Sequence, residues 1–324
     1  MTALRRASLV ALAVACLHLV FGAIVRISGS GMGCGDHWPK CYGAWFPPLS
    51  RPDLIVEVSH RYLASILVLS VTAMVVVAWR HRRDHRIGGR GGALRTAVGA
   101  LVAVFAAAML GGVTVKLGNA TYATVAHWLV AMTLLALVAT TAIRAGALGG
   151  ARARAQHGSP KTARGARAAA GLALLVVAMG GLTAKFPGAA AACTSFPACG
   201  APAVTVPGAA HVQLTHRVLA LLLTLHLVGM VVMLLKRRAT EAPVVVQAAV
   251  LALGLVAVQI VVAASMILMH LPPLLRSLHE ATGVAIWLAT FTFAYLAQLT
   301  SGELSLGLRS APSTLDPRSS PLLS

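Results

Sequence analysis

The chain has 324 residues, of which 58% are hydrophobic and 11% charged, with a mean hydropathy of +0.81. A soluble domain carries about 25% charged residues, so a water-soluble core is excluded and an all-α polytopic membrane protein is expected. The net charge of +19 does not indicate nucleic acid, because the basic residues cluster in alternate loops between apolar runs, as a positive-inside topology requires.

The first apolar run follows Arg5 and Arg6 and extends from Ala7 to Ile27. At about 20 residues it is long enough to span, whereas a signal-peptide core has about 7–15. Ala13-Val14-Ala15-Cys16 only faintly resembles a lipoprotein cleavage site, so an uncleaved first span is expected, with Cys16 as a small packing residue. A Gly-, Pro- and Trp-rich loop follows, holding Gly29-Ser30-Gly31, Cys34, His37-Trp38-Pro39, Cys41 and Pro47-Pro48. Span two covers Leu54 to Trp79, and a basic loop with Arg80, Arg82, Arg83, Arg86, Arg90 and Arg95 comes next. Spans three and four, Ala93 to Val115 and Thr121 to Ile143, are joined by a very short turn. A basic Gly/Ala-rich linker over residues 146–167 is expected to be mobile.

Span five covers Ala168 to Phe186 and leads into a second cysteine loop with Cys193 and Cys199. Span six, Ala209 to Leu235, ends at Lys236-Arg237-Arg238. Span seven runs from Pro243 to Met269, and span eight from Leu274 to Leu299 after Pro272-Pro273. The Ser/Pro/Leu-rich residues 300–324 read as a disordered tail. Eight spans put both termini on one side. With that side cytoplasmic, 19 of the 27 Lys and Arg residues lie there, so the bias sets the orientation. Both cysteine loops then face outward, where disulfides form and persist.

The halves match in order. Gly22-Ala23-Ile24-Val25-Arg26 aligns with Gly181-Leu182-Thr183-Ala184-Lys185, a cysteine pair follows each, and Ser59-His60-Arg61 aligns with Thr215-His216-Arg217. His127 and His279 recur later in each half. Four spans per copy give a parallel repeat of two four-helix bundles, with residues 1–145 and 168–299 as the halves. All four histidines lie roughly 7–10 Å below the outer boundary. A lone intramembrane histidine commonly just hydrogen-bonds between helices, but four at matched depth point to function. His18, His226 and His270 have no match and read as structural. Opposed histidine pairs suit the axial positions of haem iron; zinc wants three or four protein ligands. Two haem sites, one per half, are expected.

These residues resemble the haem A synthase family over about residues 7 to 299. The most specific parts are Gly29-Ser30-Gly31 leading to Cys34 and Cys41 with Trp38-Pro39 between, and Glu57-Val58-Ser59-His60-Arg61. Ala126-His127-Trp128, Thr215-His216-Arg217 and His279 complete the frame, and both cysteine pairs look like the bacterial form. The resemblance implies oxidation of a haem O methyl group to a formyl group through hydroxylated intermediates, giving haem A. His60 and His127 would ligate the iron of the substrate haem O. His216 and His279 would ligate a permanent haem b that relays electrons. A haem O synthase upstream, an electron donor and the lipid bilayer are the implied partners, and a homo-oligomer is compatible with the sequence.

One position distinguishes the copies. Glu57 stands three residues before His60, on the same helix face, where the second half has Gln213. A buried carboxylate there accepts protons or stabilises a cationic intermediate; the competing reading pairs Glu57 with Arg61 or Arg26. The cysteine pairs Cys34/Cys41 and Cys193/Cys199 read either as structural staples or as redox-active pairs. Arg26, Arg61, Lys185 and Arg217 lie near the outer boundary, as propionate partners or as snorkelling residues. The rival function is a two-haem cytochrome b that only transfers electrons, which leaves the one-sided glutamate unexplained. A transporter lacks the Gly/Pro-broken helices such sites need.

Overall fold

The structure, a computed structural model, describes residues 1–47, 51–200 and 206–304. Most of the expected tail and Pro48 lie outside the described residues. Eight helices are long and apolar enough to cross a membrane: α1 (Thr2–Ile27), α2 (Pro52–Arg80), α3 (Ala93–Lys116), α4 (Thr121–Arg144), α5 (Pro160–Lys185), α6 (Ala209–Lys236), α7 (Pro243–Leu268) and α8 (Pro273–Thr300). At 1.5 Å per residue they are about 36–44 Å long, more than a hydrocarbon core requires. The chain is therefore a multi-pass all-α membrane protein, with no strand among the described residues.

Four of the helices begin with proline in their first turn, at Pro52, Pro160, Pro243 and Pro273, where its fixed φ suits the helix and its missing N–H costs nothing. The start of α5 differs from the expected Ala168. Ser159 accepts the backbone N–H of Lys161 as an N-cap, and the buried Glu241 accepts from the Thr162 hydroxyl at 2.7 Å. These bonds carry the helix back through Lys161, Arg164 and Arg167. The rest of the linker is packed as well: it forms a short helix at Gly150–Ala153 with Ala153 fully buried, and Gly158 donates to the Thr300 carbonyl at 3.0 Å.

In the first half α1 packs against α2 and α4, and α3 packs against α2 and α4. In the second half α5 packs against α6 and α8, and α7 packs against α6 and α8. Along the seam α1 meets α8, and α4 meets both α5 and α8. The apolar windows of α4 and α8 are 61% and 50% buried, against at most 33% for the other six. These two helices therefore form the centre. The turns that lead into them are built alike. Gly118 and Asn119 both take positive φ before α4, and His270 and Leu271 do so before α8. Leu271 and His270 adopt there a left-handed conformation that costs L-residues roughly 1–2 kcal/mol each.

Candidate functional site

The four matched histidines project between helices toward the end that carries the cysteine loops. A simple local rule places two of them. His127 on α4 faces Gly111 of α3, where an added Cβ would stand 3.4 Å from its Cε1, and its Nδ1–H donates to the Ala107 carbonyl at 2.9 Å. His216 on α6 faces Gly180 of α5, with 3.0 Å for the same test, and its Nδ1–H donates to the Val176 carbonyl at 3.1 Å. In both cases a glycine opens space for the ring and the residue four positions earlier anchors it. A carbonyl only accepts, so the proton sits on Nδ1 and Nε2 keeps its lone pair, the arrangement that a metal-ligating histidine uses.

The other two histidines are held differently. His60 on α2 faces Gly22 of α1, with 3.2 Å to a would-be Cβ. The residue four positions before Gly22 is His18, and its ring stacks on His60 with centroids 4.2 Å apart and planes 6° from parallel. His279 on α8 meets the Gln259 side chain of α7. The amide Nε2 donates to the His279 carbonyl at 2.9 Å and lies 3.5 Å from the His279 Nε2. Thr282 donates to the Gln259 Oε1. The Nδ1 atoms of His18, His60 and His279 are buried without a hydrogen-bond partner. His18, which has no match in the second half, adjoins the first histidine pair through its stacking on His60. His226, by contrast, bonds the Gly165 carbonyl at 2.9 Å through Nε2.

The cysteine loops close the same end. Cys34 and Cys41 form a disulfide with Cα atoms 5.0 Å apart, and Cys193 and Cys199 another at 4.5 Å. Glu57 and Gln213 are both 4% exposed and make the same bond. The Glu57 Oε2 accepts the Cys34 N–H at 2.9 Å, and the Gln213 Oε1 accepts the Cys193 N–H at 2.6 Å. Glu57 also pairs through Oε1 with Arg61, so both of its oxygens are engaged. Gln213 donates instead to the Ala190 carbonyl at 3.4 Å. Arg61 grips the carbonyls of His37, Pro39 and Lys40. Arg217 grips those of Cys193, Ser195, Pro197 and Ala198. Both arginines therefore clamp their loops. In the first loop Trp38 lies against Gly112 of α3, where a Cβ would come within 2.8 Å of the indole.

Arg26 serves the seam. It pairs with Glu280 of α8 and lies over the Trp128 ring of α4, 5.7 Å from its centroid. Trp128 follows His127 and Glu280 follows His279, so Arg26 touches the neighbour of one histidine in each half. Trp128 in turn packs on Gly181 of α5, where a Cβ would stand 2.5 Å away. The Lys185 carbonyl at the end of α5 accepts from the Thr121 hydroxyl at 3.2 Å. Glu280 was missed by the sequence reading, although an acid inside a span is by itself a signal.

A profile of the COX15-CtaA family, described as cytochrome oxidase assembly protein, matches residues 5–291. The chain belongs to this family. The match takes in all four histidines, Glu57 and both cysteine pairs. Among curated relatives of this family member, the heme A synthase of Bacillus licheniformis is 29% identical over 210 residues, covering 63% of this chain and 67% of that protein. The heme A synthases of Geobacillus kaustophilus and Staphylococcus aureus (strain Newman) are 45% and 43% identical over 62 and 60 residues. Those two shorter alignments span 20% of the relatives' own length and 19% and 18% of this chain.

In the second half the spacing of the two histidines matches that of a haem-ligating pair. Two imidazoles on opposite sides of one iron, each with a metal–nitrogen bond of about 2 Å, put their ring centroids roughly 6.3 Å apart. The His216 and His279 centroids are 6.4 Å apart with planes at 74°. Among the described residues no group of three or more His, Cys, Asp and Glu is placed to hold a bare metal ion. An iron already carried in a porphyrin needs only axial ligands.

Proposed function

We propose that this chain converts haem O to haem A, oxidising a haem methyl group to a formyl group. In this reading the halves are two copies of one four-helix bundle. Residues 1–145 hold the substrate haem O between His60 and His127, and residues 168–299 hold haem b between His216 and His279. The reading is supported by membership of this family together with a pair of helix-buried histidines in each half and a disulfide-closed loop held by Glu57 in one half and Gln213 in the other. The resident haem b supplies one-electron redox chemistry when bound.

The chain's own residues then have distinct tasks. His127 and His216, anchored through Nδ1, present Nε2 in a fixed orientation. Glu57 with Arg61, and Gln213 with Arg217, each bond the backbone of their own cysteine loop and hold it over its site. Converting a methyl to a formyl group replaces two C–H bonds by one C=O bond: an oxygen atom enters, and four electrons and the accompanying protons leave (R–CH3 + H2O → R–CHO + 4 H+ + 4 e−). A carboxylate in one half alone gives that half a proton acceptor and charge stabiliser that Gln213 cannot supply. The termini and basic loops face the cytoplasm, and the cysteine loops face outward. A haem O synthase as source of substrate and a separate redox partner are proposed on the family resemblance; the oxidant that takes the four electrons and the oxygen atom of the formyl group come from outside the chain.

The test is pigment extraction from cells that express the chain with a supply of haem O. Haem A is the expected product. A protein that binds haem but yields no haem A under these conditions is an electron-transfer cytochrome, and this reading fails.

A further inference from the structure

The glycine rule has one exception in the first half. Gly111 and Gly180 each face a histidine ring, and the carbonyls four residues earlier, at Ala107 and Val176, take the Nδ1 protons of His127 and His216. Gly22 faces His60 in the same way. The residue four earlier is His18, and the expected bond to its carbonyl is absent. His18 stacks its ring on His60 at 4.2 Å and 6° instead, and Phe21 lies nearly parallel on the same ring at 6.3 Å and 10°. The His60 Nδ1 is left buried and unpartnered. An Nδ1–H bond to a carbonyl fixes the tautomer of a ligating imidazole and raises its basicity. His60 lacks both effects, whereas His127 in the same half has both.

The second half also has one unanchored histidine, but its surroundings differ. Gln259 bonds the His279 backbone and stands 3.5 Å from its Nε2, and Thr282 holds the amide in turn. The Gln259 amide therefore stands at His279, while His60 has the His18 and Phe21 rings and Gly22 against it.

We propose that His18 is a positioning residue. By taking the place of a carbonyl anchor it makes His60 the weaker, exchangeable axial ligand, so that a small diatomic ligand enters the first half on the His60 side. This rests on the reading of the first half as a haem site. It assigns the two ligands of that site different jobs: His127 retains the iron, and His60 yields.

The experiment is a carbon monoxide titration of the dithionite-reduced protein, purified with haem in both halves and followed in the Soret band. Haem content is measured on the same samples. The wild-type protein should bind carbon monoxide at one of its two haems. His18→Val puts in the residue found at the corresponding place in α5 and should restore the carbonyl bond. It should weaken carbon monoxide binding by about tenfold, the size of effect seen when the second partner of a metal-ligating histidine is changed. His18→Phe keeps a stacking ring and should bind carbon monoxide like the wild type. Equal affinity in the His18→Val and wild-type proteins overturns the assignment of His18. Haem content that is insensitive to His60→Ala and His127→Ala overturns the first-half haem site and this inference with it.

Discussion

Replacing Glu57 by glutamine separates the structural role of this residue from its chemical one, because the second half already shows a glutamine in that position. Gln213 keeps the bond to the loop N–H at Cys193, so Glu57→Gln should keep the bond to Cys34. What it loses is the ion pair with Arg61. A hydrogen bond to a charged group contributes about 1.5–3 kcal/mol. Arg61 retains its bonds to the His37, Pro39 and Lys40 carbonyls, which places the loss near the low end, about 1.5 kcal/mol. Glu57→Ala additionally strands the buried Cys34 N–H, at a further cost of about 1–3 kcal/mol. Thermal unfolding of the purified proteins should therefore rank wild type above Gln above Ala. Pigment extraction from the same cells should find haem bound but haem A formation strongly reduced in the Gln variant. Haem A formation by Glu57→Gln near the wild-type rate would refute the role of the carboxylate in the chemistry. Equal destabilisation by Gln and Ala would refute the loop-anchoring account.

Other substitutions probe the seam and the loops. Gly181→Ala drives a Cβ to 2.5 Å from Trp128 and should cost about 1–3 kcal/mol, seen as a lower unfolding midpoint. Gly171→Ala, on the same helix with nothing within 4 Å, should raise stability by roughly 0.5–1 kcal/mol. Arg26→Gln and Glu280→Gln should each cost about 2–3 kcal/mol, because each strands a partly buried charge. The double variant should fall short of their sum by at least about 1 kcal/mol in a double-mutant cycle. Cys34 and Cys41 are 0% and 2% exposed, which suits a staple better than thiol exchange. The double Cys34→Ser, Cys41→Ser variant should lose about 2.5 kcal/mol through the freed loop while still forming haem A below its unfolding temperature.

The spans were legible because each is an apolar run of membrane length, and such a run has few alternatives to helix. The start of α5 was not, because the basic Gly/Ala composition of the linker masked the Ser159-Pro160 helix signal. The four matched histidines stood out because they recur in a common sequence frame. His18, Gln259 and Glu280 did not, for the opposite reason: each occurs in one half only, and its role depends on how neighbouring helices dock. Arg61 and Arg217 were visible as a repeated pair. That both point into the cysteine loops follows from the loop path, which residue spacing does not reveal.

Haem stoichiometry in the histidine variants tests the central claim most directly. The purified protein, made with a supply of haem O, should carry two haems that are lost separately. His216→Ala and His279→Ala should lose haem b and keep the haem of the first half; His127→Ala should do the reverse, and His60→Ala, which removes only the exchangeable ligand, should lower first-half haem less than His127→Ala does. Loss of both haems in every variant, or of neither, would contradict two sites of independent construction.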